Sequence, residues 1–154
     1  MIDLYHIHPM LVHFPIVLYL LAIGLQFLVL LRRGDLAANA CLSNTALAAL
    51  LLGAAAAAVA AFFGDTALDH AVELGFPAQP LEAHATLGIL TMAFMLALSA
   101  AHLGARWFHW RLNAGRGWLV FGVGMIGVGL LIVTAYHGGD LVYGIGVNVN
   151  GVTP

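Results

Sequence analysis

Residues 9–31 read PMLVHFPIVLYLLAIGLQFLVLL, and Arg32-Arg33-Gly34-Asp35 follows them directly. A helix needs about 20 predominantly apolar residues to cross the hydrocarbon of a bilayer. This run is long enough, carries no Asp, Glu, Lys or Arg, and ends on two arginines. Periodicity adds little, because a helix in lipid is apolar almost all round. Length is the signal. Three more runs share this character: residues 42–63, mostly alanine and leucine; residues 83–105; and residues 117–137, after which Gly138-Gly139 is expected to stop the helix. The expected fold is all-α: a four-helix transmembrane bundle of up-and-down topology, one domain over residues 1–154, with spans at about 9–31, 42–63, 83–105 and 117–137.

Composition agrees. The chain of 154 residues is 62% hydrophobic and only 8% charged, with a mean hydropathy of +0.99. A soluble domain carries about a quarter charged residues, so a water-soluble monomer is excluded. Four crossings and short connections use up the length and leave no separate soluble module. Cys41 is the single cysteine. An intramolecular disulfide, a Cys-ligated iron–sulfur cluster and a CxxCH haem attachment are all ruled out.

Charge placement sets an orientation. All five positive residues, Arg32, Arg33, Arg106, Arg111 and Arg116, fall in the first-to-second and third-to-fourth connections. Six of the seven acids, Asp3, Asp65, Asp69, Glu73, Glu82 and Asp140, fall at the opposite end. Short arginine-rich loops stay in the cytoplasm. Both termini and residues 64–82 are therefore expected outside, which in a bacterial inner membrane means the periplasm. The N-terminus lacks a basic n-region and a small-residue cleavage site, and reads as an uncleaved first helix. Asp65 is expected to begin a short helix on the outer surface, through about residue 74. Pro15 lacks the N–H that would bond Leu11, so a kink is expected near His13. Gly53 to Ala61, and Gly122, Gly124, Gly127 and Gly129, let helix backbones approach closely or make room for a flat cofactor.

Eight histidines are many for this length. His102 and His109 lie beside Trp107 and Trp110 on the arginine side, where interfacial anchoring explains them. The others map to the opposite side. His13 lies four residues past Pro9, and His84 four residues past Pro80, with Glu82 placed as a capping-box carboxylate. At 1.5 Å per residue both histidines sit about 6 Å below their helix starts. His8 and His137 lie higher. A histidine inside a span is costly and faces the bundle interior or a polar cavity. The bland explanation is a hydrogen bond to a neighbouring helix; convergence of three helices at one level favours a bound metal or haem. Neutral imidazole suits haem iron, zinc and copper alike. In an up-and-down bundle the first and third helices are diagonal, so His13 and His84 would face each other, with Gly88 leaving room for a porphyrin edge one turn below. A tight three-histidine copper or zinc site from His13, His84 and His137 fits the same residues.

The runs His8-Pro9-Met10-Leu11-Val12-His13-Phe14-Pro15 and His137-Gly138-Gly139-Asp140-Leu141-Val142-Tyr143-Gly144, with Glu82-Ala83-His84 between them, resemble a bacterial membrane domain family of unknown function. Its members are sometimes described as predicted haem-binding membrane proteins. The resemblance covers nearly the whole chain. It implies a four-helix membrane protein with functional histidines at His13, His84 and His137. The plan is also similar to small b-type cytochromes, although a second haem on the arginine side lacks ligands. The reading is a haem-binding membrane protein, more an electron carrier than an enzyme. It has no catalytic residues of its own. His13 and His84 are the axial ligands of one haem b, and His137 and His8 bond a propionate or ligate a second cofactor. Its partners would be the lipid bilayer and a quinone or periplasmic redox protein, with no nucleic acid. The chain would act alone, as a homo-oligomer or as a complex subunit. Copper or zinc binding, and a structural accessory role in a membrane complex, are the alternatives.

Overall fold

The computed structural model describes residues 4–149 and 152; Asp3 lies outside them. A single 3-10 turn (Leu4–His6) leads into α1 (Ile7–Leu11) and α2 (His13–Leu31), which together make the first span. The break falls at Val12, where the proline three residues on cannot donate to Leu11. The remaining spans are α3 (Cys41–Glu73), α4 (Ala78–Trp107) and α5 (Ala114–Tyr143). All four are long and apolar enough to cross a membrane.

Three boundaries differ from expectation for one reason: hydropathy reads the thickness of the bilayer, whereas helices end where the backbone is broken. No proline interrupts residues 63–73, so α3 runs on to Glu73 and the separate outer helix at 65–74 does not exist. At 1.5 Å per residue its 33 residues extend about 50 Å, well past the roughly 30 Å hydrocarbon core. Gly138-Gly139 does not stop α5, which continues to Tyr143. α4 begins at Ala78, so Pro80 sits inside its first turn, and no side chain, Glu82 included, caps it.

Neighbouring spans pack in a ring: α2 on α3, α3 on α4, α4 on α5 and α5 back on α2. Among the described residues α2 and α4 make no such contact, nor do α3 and α5. The first and third spans are therefore diagonal, as expected. The central core joins Tyr19, Ala22 and Ile23 to Ala49, Leu50, Ala54, Met95, Leu98 and Leu131. The inward glycines of α5 are occupied by side chains from α2. A Cβ at Gly124 would come within 2.6 Å of Ile23 Cδ1, and one at Gly127 would collide with the Tyr19 hydroxyl. That hydroxyl donates to the Gly124 carbonyl at 2.8 Å. Gly122 and Gly129 face open space. Close packing, not space for a flat cofactor, accounts for Gly124 and Gly127.

The two ends are closed differently. At the arginine end the 32–40 and 108–113 connections dock on each other, and Asp35 holds them. Its Oδ1 accepts from Ala37 N at 3.0 Å and Leu112 N at 2.9 Å, and its Oδ2 lies 3.5 Å from Arg111 Nε. Leu36 N donates to Leu112 O at 3.0 Å, and Arg106 donates to the carbonyls of Ala37 and Ala38. At the histidine end a small apolar cap of Ala71, Phe76, Leu81 and Leu141 ties the ends of α3, α4 and α5 together.

Candidate histidine site

His8 projects from α1 onto α3. Its Nδ1 lies 2.7 Å from the Ala60 carbonyl, which can only accept, so the proton is on Nδ1. One turn further along α3, Gly64 makes room for the ring: a Cβ there would stand 3.2 Å from His8 Nδ1. His84 repeats the arrangement between α4 and α5. Its Nδ1 donates to the Thr134 carbonyl at 3.2 Å, and a Cβ at Gly138, four residues on, would stand 2.9 Å from its Cε1. Each imidazole thus rests on a neighbouring helix in a seat made of one carbonyl and a glycine one turn later. The glycine that looked like a helix stop is the floor of the second seat. A hydroxyl pair supports that seat, with Thr91 Oγ1 and Thr134 Oγ1 2.8 Å apart and both within reach of the Leu87 carbonyl.

The two seated rings meet. Their centroids are 6.2 Å apart and their planes are inclined at 79°. With both Nδ1 atoms engaged, each Nε2 carries a lone pair, and neither has a hydrogen-bond partner among the described residues. Donation of the second ring nitrogen to a carbonyl is how proteins orient a ligating histidine and raise its basicity. The ring level lies below the tip of α3 by the nine residues from Gly64 to Glu73, about 13 Å. Both rings are half-buried at this level.

The other expected residues are placed differently. His13 is exposed, alongside Met10, Phe14 and Val17, and does not face His84. His137 turns back on its own helix, with Nδ1 2.9 Å from Val133 O, and lies edge-on to Tyr136. Gly88 adjoins open space, with nothing within 4 Å of where a Cβ would stand. Among the described residues no three His, Cys, Asp or Glu side chains converge closely enough to hold a metal ion, so the tight trio of His13, His84 and His137 is not formed. Tyr5 stacks on His70 at 3.9 Å, pinning the N-terminal turn to the extension of α3.

Two polar residues escaped sequence reasoning. Gln26 is 1% exposed, and neither its Oε1 nor its Nε2 has a partner among the described residues. His102 is buried, not interfacial; its Nδ1 bonds Leu98 O at 3.0 Å and its Nε2 has no partner among the described residues. The signal for both was helix phase. Gln26 continues the inward stripe of Pro15, Tyr19 and Ala22, and His102 that of Met95 and Leu98.

Among known proteins, no curated protein and no solved structure matches the chain. A family model described as "Predicted membrane protein (DUF2231)" matches residues 5–151. That match takes in all four spans and both histidine seats, and the protein is a member of this membrane protein family.

Proposed function

We propose that this protein binds haem b at the histidine end of the bundle, through His8 and His84, and serves as a one-electron carrier there. The observation behind this is the pair of seated imidazoles on diagonal spans, each oriented through Nδ1 with Nε2 left to coordinate. The spacing suits a shared metal. Two metal–imidazole bonds of about 2 Å, with a ring radius on either side, span roughly the 6.2 Å between centroids. The open ground beside Gly88 and Gly139 suits a macrocycle edge. His8 takes the place proposed for His13 because it lies on the inward face of the first span. Haem so held supplies reversible one-electron chemistry whose potential follows axial ligation, hydrogen bonding and burial. The chain's own contribution is orientation through Ala60 and Thr134, and exclusion of water by Phe76, Leu81 and Leu141. His137, at the rim beside Tyr136, is suited to a propionate.

The segregation of the five arginines supports a cytoplasmic arginine end. The histidine site would then face the periplasm, with a quinol or a small redox protein as its exchange partner.

Absorbance of the purified protein tests the reading. Wild type should show a Soret band and split visible bands on reduction. His8→Ala or His84→Ala should abolish the low-spin spectrum, and His13→Ala should leave it unchanged. An unaltered spectrum in His8→Ala refutes the ligand pair, and wild type purified without a Soret band but with bound copper or zinc refutes haem. Alkaline phosphatase fused at the C-terminus should be active; inactivity with cytoplasmic fluorescence of the matching fusion would reverse the orientation.

A further inference from the structure

The arginine end gathers five arginines against one acid, Asp35, and the fold shapes part of that charge into a cleft. Between the docked connections lies a groove of about 500 Å³ whose polar lining is Arg106, Arg111, His109, Asn39 and Asp35, with Trp110 beside them. A second groove of about 440 Å³ continues from it past Arg116, sharing Trp110 and Arg111. Asp35 offsets only part of this charge. Its Oδ2 lies 3.5 Å from Arg111 Nε, with the Arg111 side chain 76% exposed, and one carboxylate against Arg106, Arg111 and Arg116 leaves the grooves positive. Arg106 is anchored to the Ala37 and Ala38 carbonyls, which fix its position without removing its charge.

We propose that this cleft binds the phosphate headgroup of an anionic phospholipid. Guanidinium groups present planar, paired donors that match phosphate oxygens. The aromatic surroundings place the cleft at the depth of lipid headgroups rather than in bulk water: Trp107, Phe108 and Trp110 are all largely exposed around it, and exposed tryptophans mark the membrane interface. Leu103, one turn before Trp107 on α4 and also exposed, continues from this level along that helix as a surface for acyl chains. A free phosphate ion would use the arginines but not this apolar continuation. Basic pockets between spans are where anionic headgroups lodge. The site is independent of the histidine end and of whether haem is bound.

The test uses the purified full-length protein in mixed micelles doped with phosphatidylglycerol or with phosphatidylcholine, with bound lipid counted by mass spectrometry. Wild type should retain phosphatidylglycerol preferentially, and Arg111→Gln/Arg116→Gln should lower its affinity by roughly 25-fold, at about fivefold per arginine. Arg32→Gln/Arg33→Gln removes the same net charge from outside the cleft and should leave most of the preference. Equal losses in the two double variants would overturn the cleft in favour of diffuse surface charge. Equal retention of both lipids by wild type would overturn it outright. Displacement of the lipid by millimolar inorganic phosphate alone would identify a free-anion site instead. Circular dichroism in phosphatidylcholine micelles checks that each variant is folded. Arg116→Gln, which lies outside the Asp35 clamp, carries the test at about fivefold should the double variant fail to fold.

Discussion

Alanine at Gly127 and alanine at Gly129 are the same substitution two residues apart on α5, yet the fold gives them opposite surroundings. At Gly127 the new methyl collides with the Tyr19 hydroxyl and stands 2.7 Å from both Tyr19 Cζ and Phe94 Cε1. Tyr19 is fully buried and can yield only by giving up its bond to Gly124 O. A hydrogen bond between membrane helices contributes about 0.6 kcal/mol on average and about 1.7 at most. Overpacking a filled core adds about 1–3 kcal/mol. At Gly129 the methyl meets nothing within 4 Å. Both variants gain the same helix propensity over glycine, so that contribution cancels in the comparison. Gly127→Ala should therefore be less stable than Gly129→Ala by about 2–5 kcal/mol. Reversible unfolding in mixed micelles, followed by tryptophan fluorescence and near-ultraviolet circular dichroism, measures the difference. Equal stability of the two variants would refute the seating of Tyr19 against α5.

Three further outcomes are expected. Gly138→Val should push the His84 ring off the Thr134 carbonyl and perturb the spectrum of any cofactor it holds, whereas Gly122→Ala, which meets nothing within 4 Å and lies far from the rings, should be silent in the same absorbance measurement. Asp35→Ala strips the acceptor from Ala37 N and Leu112 N and should cost about 1–3 kcal/mol in thermal or detergent unfolding; Asp35→Asn, which keeps an oxygen there, should cost less. Gln26→Leu should stabilise the protein by about 1–3 kcal/mol by removing two unpaired buried polar atoms, and a loss of stability instead would reveal ordered water bound to the amide.

The four spans, the diagonal placement of the first and third, and the break above Pro15 were legible because each follows from one dominant force: apolar length, connectivity through short loops, and a missing N–H. The helix ends were not. Residues 64–73 look like a surface segment because they are polar, but nothing among them breaks a helix, and Gly138 looks like a stop until a ring is seen resting on it. That a histidine of the first span meets His84 was legible as to spans, but the residue and its level were not. Depth alone favoured His13, whereas rotation about the helix decides which side chain turns inward. His8 stands seven residues before buried Pro15, two turns away on the same face, while His13 shares its face with exposed Val17, Leu20 and Leu21. Counting from the polar and aromatic residues that must be inside, Gln26 and Tyr19, would have selected His8.

Each imidazole is held within its own half of the chain. His8 of the first span is bonded to α3, and His84 of the third to α5. Each half can therefore orient its ring alone, as one helical hairpin after the other enters the membrane. Only the face-to-face approach of the two rings has to wait for the hairpins to join. In the order of biogenesis, orientation of the rings precedes their approach. A cofactor held between them, as proposed above, would be captured at the final docking of preformed halves and would then act as a latch between them.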